Sequence, residues 1–260
     1  MGRLSTDSFE RPADLGDVDD PRVLYARSYL LIRLVVGFIG VLLPTLLFAL
    51  DGFFLRGGWL VRGSLSAYYH SGARDLFVGA LCVTGFLLIT YMAGQRATWD
   101  FVLSSTAGIA ALGVAFLPTT RPNLADDAPL CGSDPIPAGC TQLQQAFGEM
   151  AVATIHYISA AIFILSLAAI CFVFATREQK HVGSRKQARF HRTCGVLILA
   201  AVAWVALGRL VSVEPFGLTP LYVGEVVSVY AFGASWISKG RDLLKRILGV
   251  FLPLPRTTSS

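Results

Sequence analysis

Five polar side chains in this chain could do chemistry, because each falls at or near the end of a long apolar segment. They are Ser66, His70, Asp75, His156 and Glu225. A histidine or carboxylate can act as a general acid or base, and a serine can act as a nucleophile when a base lies beside it. An ionised group in hydrocarbon costs about 2.5–3.5 kcal/mol on insertion scales. We therefore expect these groups to face protein or water, as a candidate catalytic site.

Three of the five residues also offer metal ligands. Imidazole and carboxylate groups bind zinc, and a catalytic zinc has three protein ligands and an open position for water. His70, His156 and Glu225 would complete that set if the ends of their segments meet. Zinc is therefore one candidate for a cofactor that the sequence leaves unknown, and a histidine or a metal-bound water would be the activated group.

A structural interpretation of the same residues stays open. Arg209 and Glu225 fall on neighbouring apolar segments joined by a short connection, so they could form a buried ion pair. His156 could donate a hydrogen bond to a backbone carbonyl. Haem ligation is disfavoured, because regular helices would separate His70 and His156 by roughly 10–15 Å in depth. A retinal Schiff base needs a lysine within a span, and the predicted spans contain none.

Apolar segments long enough to cross a bilayer must position these residues. About 20 residues of helix cross the hydrocarbon core, and these runs lack the alternation of a β-barrel strand. Hydrophobic residues make up 54% of the chain and charged residues 15%, against about 25% charged in soluble domains. The sequence predicts an all-α polytopic membrane protein, with a bundle of six transmembrane helices in residues 28–239. The predicted spans are 28–50, 74–94, 101–117, 148–175, 194–213 and 221–239.

The distribution of basic residues predicts the orientation. Most of the 22 Lys and Arg residues lie in the tails and in the 94–100 and 176–193 connections. Because cytoplasmic segments carry an excess of these residues, both termini are predicted to be cytoplasmic. The clustering at span ends argues against nucleic acid as the partner of the net charge of +5.

The two tails are predicted to be accessory. Residues 1–27 are polar and acidic up to position 20, which favours disorder. Residues 240–260 begin with apolar residues on one helical face beside Lys245 and Arg246. That pattern predicts an amphipathic helix on the cytoplasmic surface of the membrane.

The 118–147 connection is the predicted outer loop. It holds five of the 12 prolines, so it cannot be helical throughout. It also holds Cys131 and Cys140. Two cysteines in one exocytoplasmic loop predict a disulfide; two free thiols are the alternative.

Polarity is predicted to be one-sided. The candidate residues fall in the outer third of their spans, whereas the inner halves carry neutral side chains apart from Arg33. A catalytic or binding site would thus open to the outer side, where a lipid substrate could enter sideways from the bilayer.

A short motif resembles a known hydrolase group. Residues 66–70 read SAYYH, and the Ser-x-x-x-His spacing resembles the CREST superfamily of membrane hydrolases, which includes alkaline ceramidases. The resemblance implies zinc held by three histidines near a serine and an aspartate. Only Ser66 and His70 match; a later His-x-x-x-His pair, an aspartate well inside a following span and a seventh span are missing from this sequence.

A wider resemblance covers most of residues 30–239. The segments SLSAYYHSGARDLFVGALC and VYAFGASWISKG, among others, resemble a family of bacterial six-span membrane proteins of unknown function, grouped near the Frag1/DRAM/Sfk1 type. The resemblance implies six spans and a bacterial inner membrane. It implies no reaction.

Three functions stay open. The first is a metal-dependent hydrolase of a lipid or lipid-linked substrate at the outer leaflet. The second is a transporter of a small solute or protons, with His156, Arg209 and Glu225 as its gating charges. The third is a non-enzymatic membrane partner subunit whose charges form ion pairs.

Overall fold

The computed structural model describes residues 21–54, 61–91, 98–122, 127–182, 184–211 and 217–251. Within these ranges the side chains of residues 21–27, 91, 181–182, 209 and 241–251 lie outside the description. Helices form throughout the described residues, with no strand among them. The predicted all-α class is confirmed.

The helices follow the apolar segments, with a short helix in the connection before α2 and another before α5. The α-helices are α1 (Pro21–Phe54), α2 (Arg74–Tyr91), α3 (Trp99–Phe116), α4 (Gln142–Phe147), α5 (Glu149–Arg177), α6 (Arg185–Val211) and α7 (Pro220–Phe251). A 3₁₀-helix spans Ser66–His70, and a π-helical turn, Glu178–Val182, extends α5.

The six long helices form a closed ring. Each has its main contacts with two neighbours, in the order α1, α2, α3, α5, α6, α7 and back to α1, and α5 also contacts α7. Among the described neighbours, α1 and α2 meet over the shortest stretch. The ring brings the start of α7 beside the connection that leads from α1 to α2.

Four helices within the described residues are long and apolar enough to cross a membrane. They are Ser28–Phe54, Trp99–Phe116, Glu149–Lys180 and Arg185–Gly208. They carry four of the predicted spans, and the chain is therefore a membrane protein in its composition and helix lengths. The other two predicted spans lie in α2 and α7, which complete the same ring.

Glycines let the helices pack closely. A Cβ on Gly233 of α7 would lie 2.7 Å from the Gly37 carbonyl of α1. A Cβ on Gly85 of α2 would lie 2.9 Å from the Gly108 carbonyl of α3. Backbones that approach so closely exclude a larger side chain and gain dispersion contacts, which replace the hydrophobic driving force inside a bilayer.

Three helix ends, the start of α1, the start of α6 and the end of α7, differ most from the predicted boundaries. The first helix begins at Pro21 instead of residue 28, the sixth begins at Arg185 instead of residue 194, and the last continues to Phe251. The prediction of a disordered tail falls mainly on residues 1–20, which lie outside the described residues. The apolar face predicted for the C-terminal tail rests on side chains that are also outside the description.

Candidate functional site

Two connections cover one end of the ring, which we call the loop end. The first is 61–73, between α1 and α2, and the second is 117–148, between α3 and α5. All five candidate catalytic residues lie at this end or in the helix turns below it. Their side chains make different contacts, which we take in turn.

Glu225 of α7 holds the start of the 3₁₀-helix. Its carboxylate accepts the Leu65 backbone N–H at 2.6 Å and the Ser66 hydroxyl at 3.3 Å. The first amides of a helix have no partner within it, and a carboxylate stabilises that position. Glu225 is thus bonded to the first connection. The Arg209 side chain lies outside the described residues, so the predicted Arg209–Glu225 ion pair stays a prediction.

Ser66 and His70 do not share a face. The four-residue spacing aligns two side chains in an α-helix, but residues 66–70 form a 3₁₀-helix with three residues per turn. Positions i and i+4 are then offset by about a third of a turn. The Ser66 hydroxyl points to Glu225, whereas the His70 imidazole contacts Thr119 in the other connection. An α-helix over residues 64–75 would have placed both side chains on one face, and the 3₁₀-helix does not.

Both candidate histidines bond to the chain that leaves α3. The Nε2 of His70 donates to the Thr119 carbonyl at 3.0 Å, and the Nδ1 of His156 donates to the Leu117 carbonyl at 2.6 Å. These bonds fix the tautomer, because a carbonyl oxygen only accepts. His70 keeps a lone pair on Nδ1. His156 is fully buried, and its Nε2 has no hydrogen-bond partner among the residues that the structure describes. The carbonyl contact predicted for His156 is present.

A second carboxylate organises the outer loop. Glu149, fully buried at the start of α5, forms an ion pair with Arg121 at 3.0 Å and accepts the Cys131 backbone N–H at 3.2 Å. The Arg121 guanidinium also donates to the Pro129 and Ala138 carbonyls. One ion pair therefore joins three parts of this loop to α5.

The predicted disulfide is confirmed. Cys131 and Cys140 are bonded to each other, and each follows by two residues one of the carbonyls that Arg121 contacts. The disulfide closes the segment that the Arg121–Glu149 pair holds against α5.

A third carboxylate clasps the first connection. Asp51, near the end of α1 and 1% exposed, accepts two bonds from Arg62, at 2.7 and 3.1 Å. Paired N–H···O bonds of this kind are among the strongest side-chain contacts. The clasp ties residues 61–73 back to α1.

The predicted zinc ligands do not form a metal-binding group. Across the described ranges, no three His, Cys, Asp or Glu side chains are arranged to hold a metal ion. Glu225 is occupied by Leu65 and Ser66, while His70 and His156 point their bonded nitrogens at carbonyl oxygens. The donors present therefore do not fit a metal in this conformation, and we derive no step through zinc.

A groove opens at the loop end beside α2. An apolar cleft of about 540 Å³ is lined by residues of α2 and by the end of α3, including Val78, Gly79 and Phe116. A polar cleft of about 590 Å³ adjoins it and is lined by both connections, including His70. The two clefts share Tyr69 and Arg74. The groove is therefore apolar at one end and polar at the other.

Arg74 and Asp75 place two exposed charges in this groove. The Arg74 guanidinium lies 4.5 Å from the Tyr69 ring centroid and donates to its hydroxyl at 3.0 Å. Asp75, the last candidate residue, lines the apolar cleft beside Arg74 and forms no hydrogen bond or ion pair with another described residue. Both charges are free to meet a ligand.

Burial also changes the protonation of His70. It lowers the pKa of the imidazole below its ordinary value of 6.5, because a charged ring loses hydration there. His70 is therefore neutral near pH 7, with its Nδ1 lone pair available.

A second polar cluster lies at the opposite end of the ring, which we call the basic end. Lys239 of α7 forms an ion pair with Glu178 at 2.6 Å, and both side chains are less than a tenth exposed. The fully buried His191 of α6 bonds Ser235 of α7 at 2.8 Å. Arg33 of α1 lies over the Phe174 ring, 5.3 Å from its centroid.

The predicted one-sided polarity is therefore wrong. Hydropathy alone predicts a span from residue 194 and so leaves His191 in the 176–193 connection. The helix already begins at Arg185 and includes His191. Glu178 and Lys239 occupy span ends, where charged residues normally face water. Their contact across the ring depends on the turn after α5, which the sequence pattern does not reveal. The i,i+4 spacing of Ser235 and Lys239 was the available signal for a polar face on α7.

Comparison with known proteins adds no assignment. A scan against protein-family models, a search of curated proteins and a search of solved structures each found no match. The resemblances to the CREST hydrolases and to the bacterial six-span family stay predictions. The function must therefore be argued from the groove and the two polar clusters.

Proposed function

We propose that the protein is a six-span integral protein of a bacterial inner membrane that binds a membrane lipid in the groove at its loop end. In this proposal both termini are cytoplasmic and the loop end faces outward. The excess of basic residues at the opposite end supports that orientation.

The observation that carries the proposal is the two-part lining of the groove. Its apolar half lies on α2 and α3, where the bilayer would surround the ring, and its polar half lies between the two connections. Arg74 stands where the halves join. Ligand sites in proteins are concave and mainly apolar, with a few placed polar groups. A molecule with an acyl chain and a charged headgroup matches both halves.

Three carboxylates at the loop end support binding over a reaction carried by the predicted residue set. Asp51, Glu149 and Glu225 are each bonded to donors of the protein. Such groups stabilise the walls of a site. The groups left for a ligand are those that line the groove itself.

Photocrosslinking would test the proposal. A phospholipid with a diazirine on its acyl chain is incorporated into membranes containing the protein, and the labelled peptides are identified by mass spectrometry. We expect labelling in residues 74–91 and 99–116, the helices that line the apolar cleft.

Gly79 offers a variant that closes the cleft without strain. A Cβ there would meet no heavy atom within 4 Å, so Gly79→Trp would fill the groove and leave the ring intact. We expect the labelling to fall by about tenfold, as for the loss of roughly 1.4 kcal/mol of binding. Val102→Trp, at an exposed position of α3 outside the cleft lining, is the matched control. Equal labelling of Gly79→Trp and wild type would reject the lipid site.

Hydrolysis of the bound lipid is the second candidate. The observation that favours it is His70, which lines the polar cleft as a neutral imidazole with a free Nδ1. Such a nitrogen can take a proton from an attacking water. Release of fatty acid or headgroup by the purified protein, lost in His70→Gln, would support an enzyme; lipid bound and recovered uncleaved would leave binding alone.

A further inference from the structure

We propose that the groove selects a lipid whose headgroup carries a phosphate and a primary ammonium, as phosphoethanolamine does, with the phosphate on Arg74 and the ammonium on Asp75. This inference rests on the proposed lipid site and names its ligand class. It follows from the charges that the protein leaves unused.

Arg74 and Asp75 differ from the charges that hold the two connections. The buried carboxylates there accept hydrogen bonds from protein donors. The guanidinium groups of Arg62 and Arg121 form ion pairs with two of these carboxylates. Arg74 donates only to a neutral hydroxyl among the described contacts, and it forms no ion pair with Asp75. A cation and an anion thus lie side by side and exposed in one cleft, with no ion pair to another described residue.

The next turn of α2 offers space for the acyl chain of a lipid whose headgroup lies at these residues. Val78 and Gly79 follow Arg74 and Asp75 by four positions, so each lies on the same face of α2 as the charge above it. The open space beside Gly79 lies beneath Asp75. An acyl chain in that space would start from a headgroup held at the first turn of α2.

The pair of charges discriminates between headgroups. A phosphoglycerol headgroup would satisfy Arg74 but bring its negative charge near Asp75 with nothing to neutralise the carboxylate. A phosphocholine headgroup supplies a cation without N–H donors, so it cannot hydrogen-bond the carboxylate. A primary ammonium has three donors, and charge-assisted bonds of this type are stronger than neutral ones.

Three photolipids with identical acyl chains and different headgroups would test the selection. The protein is reconstituted in nanodiscs, and crosslinking to the 74–91 peptide is measured for phosphoethanolamine, phosphoglycerol and phosphocholine lipids. We expect phosphoethanolamine to label about tenfold more than the other two, as for one charge-assisted contact. Asp75→Asn should remove this preference, and Arg74→Gln should lower labelling by all three. Asp127→Asn, an exposed carboxylate outside the cleft linings, should change neither.

The outcomes separate the two proposals. Labelling of the groove without headgroup preference, or a preference that survives Asp75→Asn, overturns this inference and leaves the lipid site standing. Absence of groove labelling with every headgroup overturns the lipid site as well. Asp75→Glu, which keeps the charge, should retain the preference; if Asp75→Asn does not fold, loss of the preference in Asp75→Glu would overturn the inference in its place.

Discussion

At the scale of single residues, the loop end separates side chains that hold the fold from side chains that are available. Glu149 is buried and Glu225 is half-buried, and both accept hydrogen bonds from backbone amides, so their replacement should destabilise the fold. Arg74 and Asp75 are exposed, and their replacement should lower the affinity for the lipid. This contrast makes the structural and ligand-binding roles separable by mutation.

Glu225→Ala should destabilise the protein by about 1–3 kcal/mol, because the N–H of the buried Leu65 and the hydroxyl of the buried Ser66 lose their acceptor. Thermal unfolding in detergent would measure the loss. Glu225→Gln should lose less, since its carbonyl still accepts one bond. If Arg209→Gln is as damaging as Glu225→Ala, the ion pair predicted from the sequence gains support; a fully stable Glu225→Ala would contradict the capping role.

The stability contributed at His70 should decrease as the pH falls below about 6.5. Burial lowers the pKa of the folded imidazole, so the unfolded chain takes up this proton at a higher pH than the folded chain. Stability rises with pH wherever the unfolded state binds more protons. His70→Asn should therefore show a smaller difference in Tm between about pH 7.5 and about pH 5.5 than wild type. Equal differences would contradict this.

The sequence identified several of these residues without their partners. His156 and its carbonyl bond were anticipated, because an isolated histidine inside a span must find a hydrogen bond. The contacts of Ser66 and His70 were not, because residue spacing does not distinguish a 3₁₀-helix from an α-helix. The sequence does not indicate that Arg62 and Asp51 form an ion pair, because that contact depends on the fold.

At the scale of elements, the two ends of the ring are held in different ways. Side chains of the connections close the loop end, and the disulfide adds a covalent restraint. At the basic end, α7 holds the α5–α6 turn through Lys239 and Ser235, and Gln187 donates to the Ser238 carbonyl. The long helices were predictable from hydropathy. These cross-helix contacts were not, because they depend on which helices become neighbours.

Arg121→Gln should destabilise the outer loop by about 3–5 kcal/mol, since it leaves the fully buried Glu149 without its cation. The measurement is the Tm together with the rate of proteolysis between residues 118 and 147. Combining Arg121→Gln with Glu149→Gln should recover part of the loss, because no uncompensated charge is then buried. A double variant less stable than Arg121→Gln would argue against a charge effect.

At the scale of the whole molecule, the closed ring and the distribution of basic residues make a testable topology. With six spans, the loop end and the basic end must lie on opposite sides of the membrane. Four helices meet the length and hydropathy of a span within the described residues; the proposed six spans require that α2 and α7 cross as well.

Cysteine labelling in intact cells would check this topology. In a background with Cys82, Cys171 and Cys194 replaced by Ala, single cysteines at the exposed positions Asp127 and Lys186 report on the two ends. An impermeant maleimide should label Asp127→Cys from outside and Lys186→Cys only after permeabilisation. Labelling of both from the same side would reject the six-span arrangement.

The short contact between α1 and α2 has a mechanical consequence. If the ring of six helices opens, α1 and α2 should separate first, because fewer dispersion contacts must be broken between them. The Arg62–Asp51 ion pair links α1 to the connection before α2 at the loop end of this contact. Tension in the surrounding bilayer, or its thinning, should therefore strain this ion pair before other contacts of the ring.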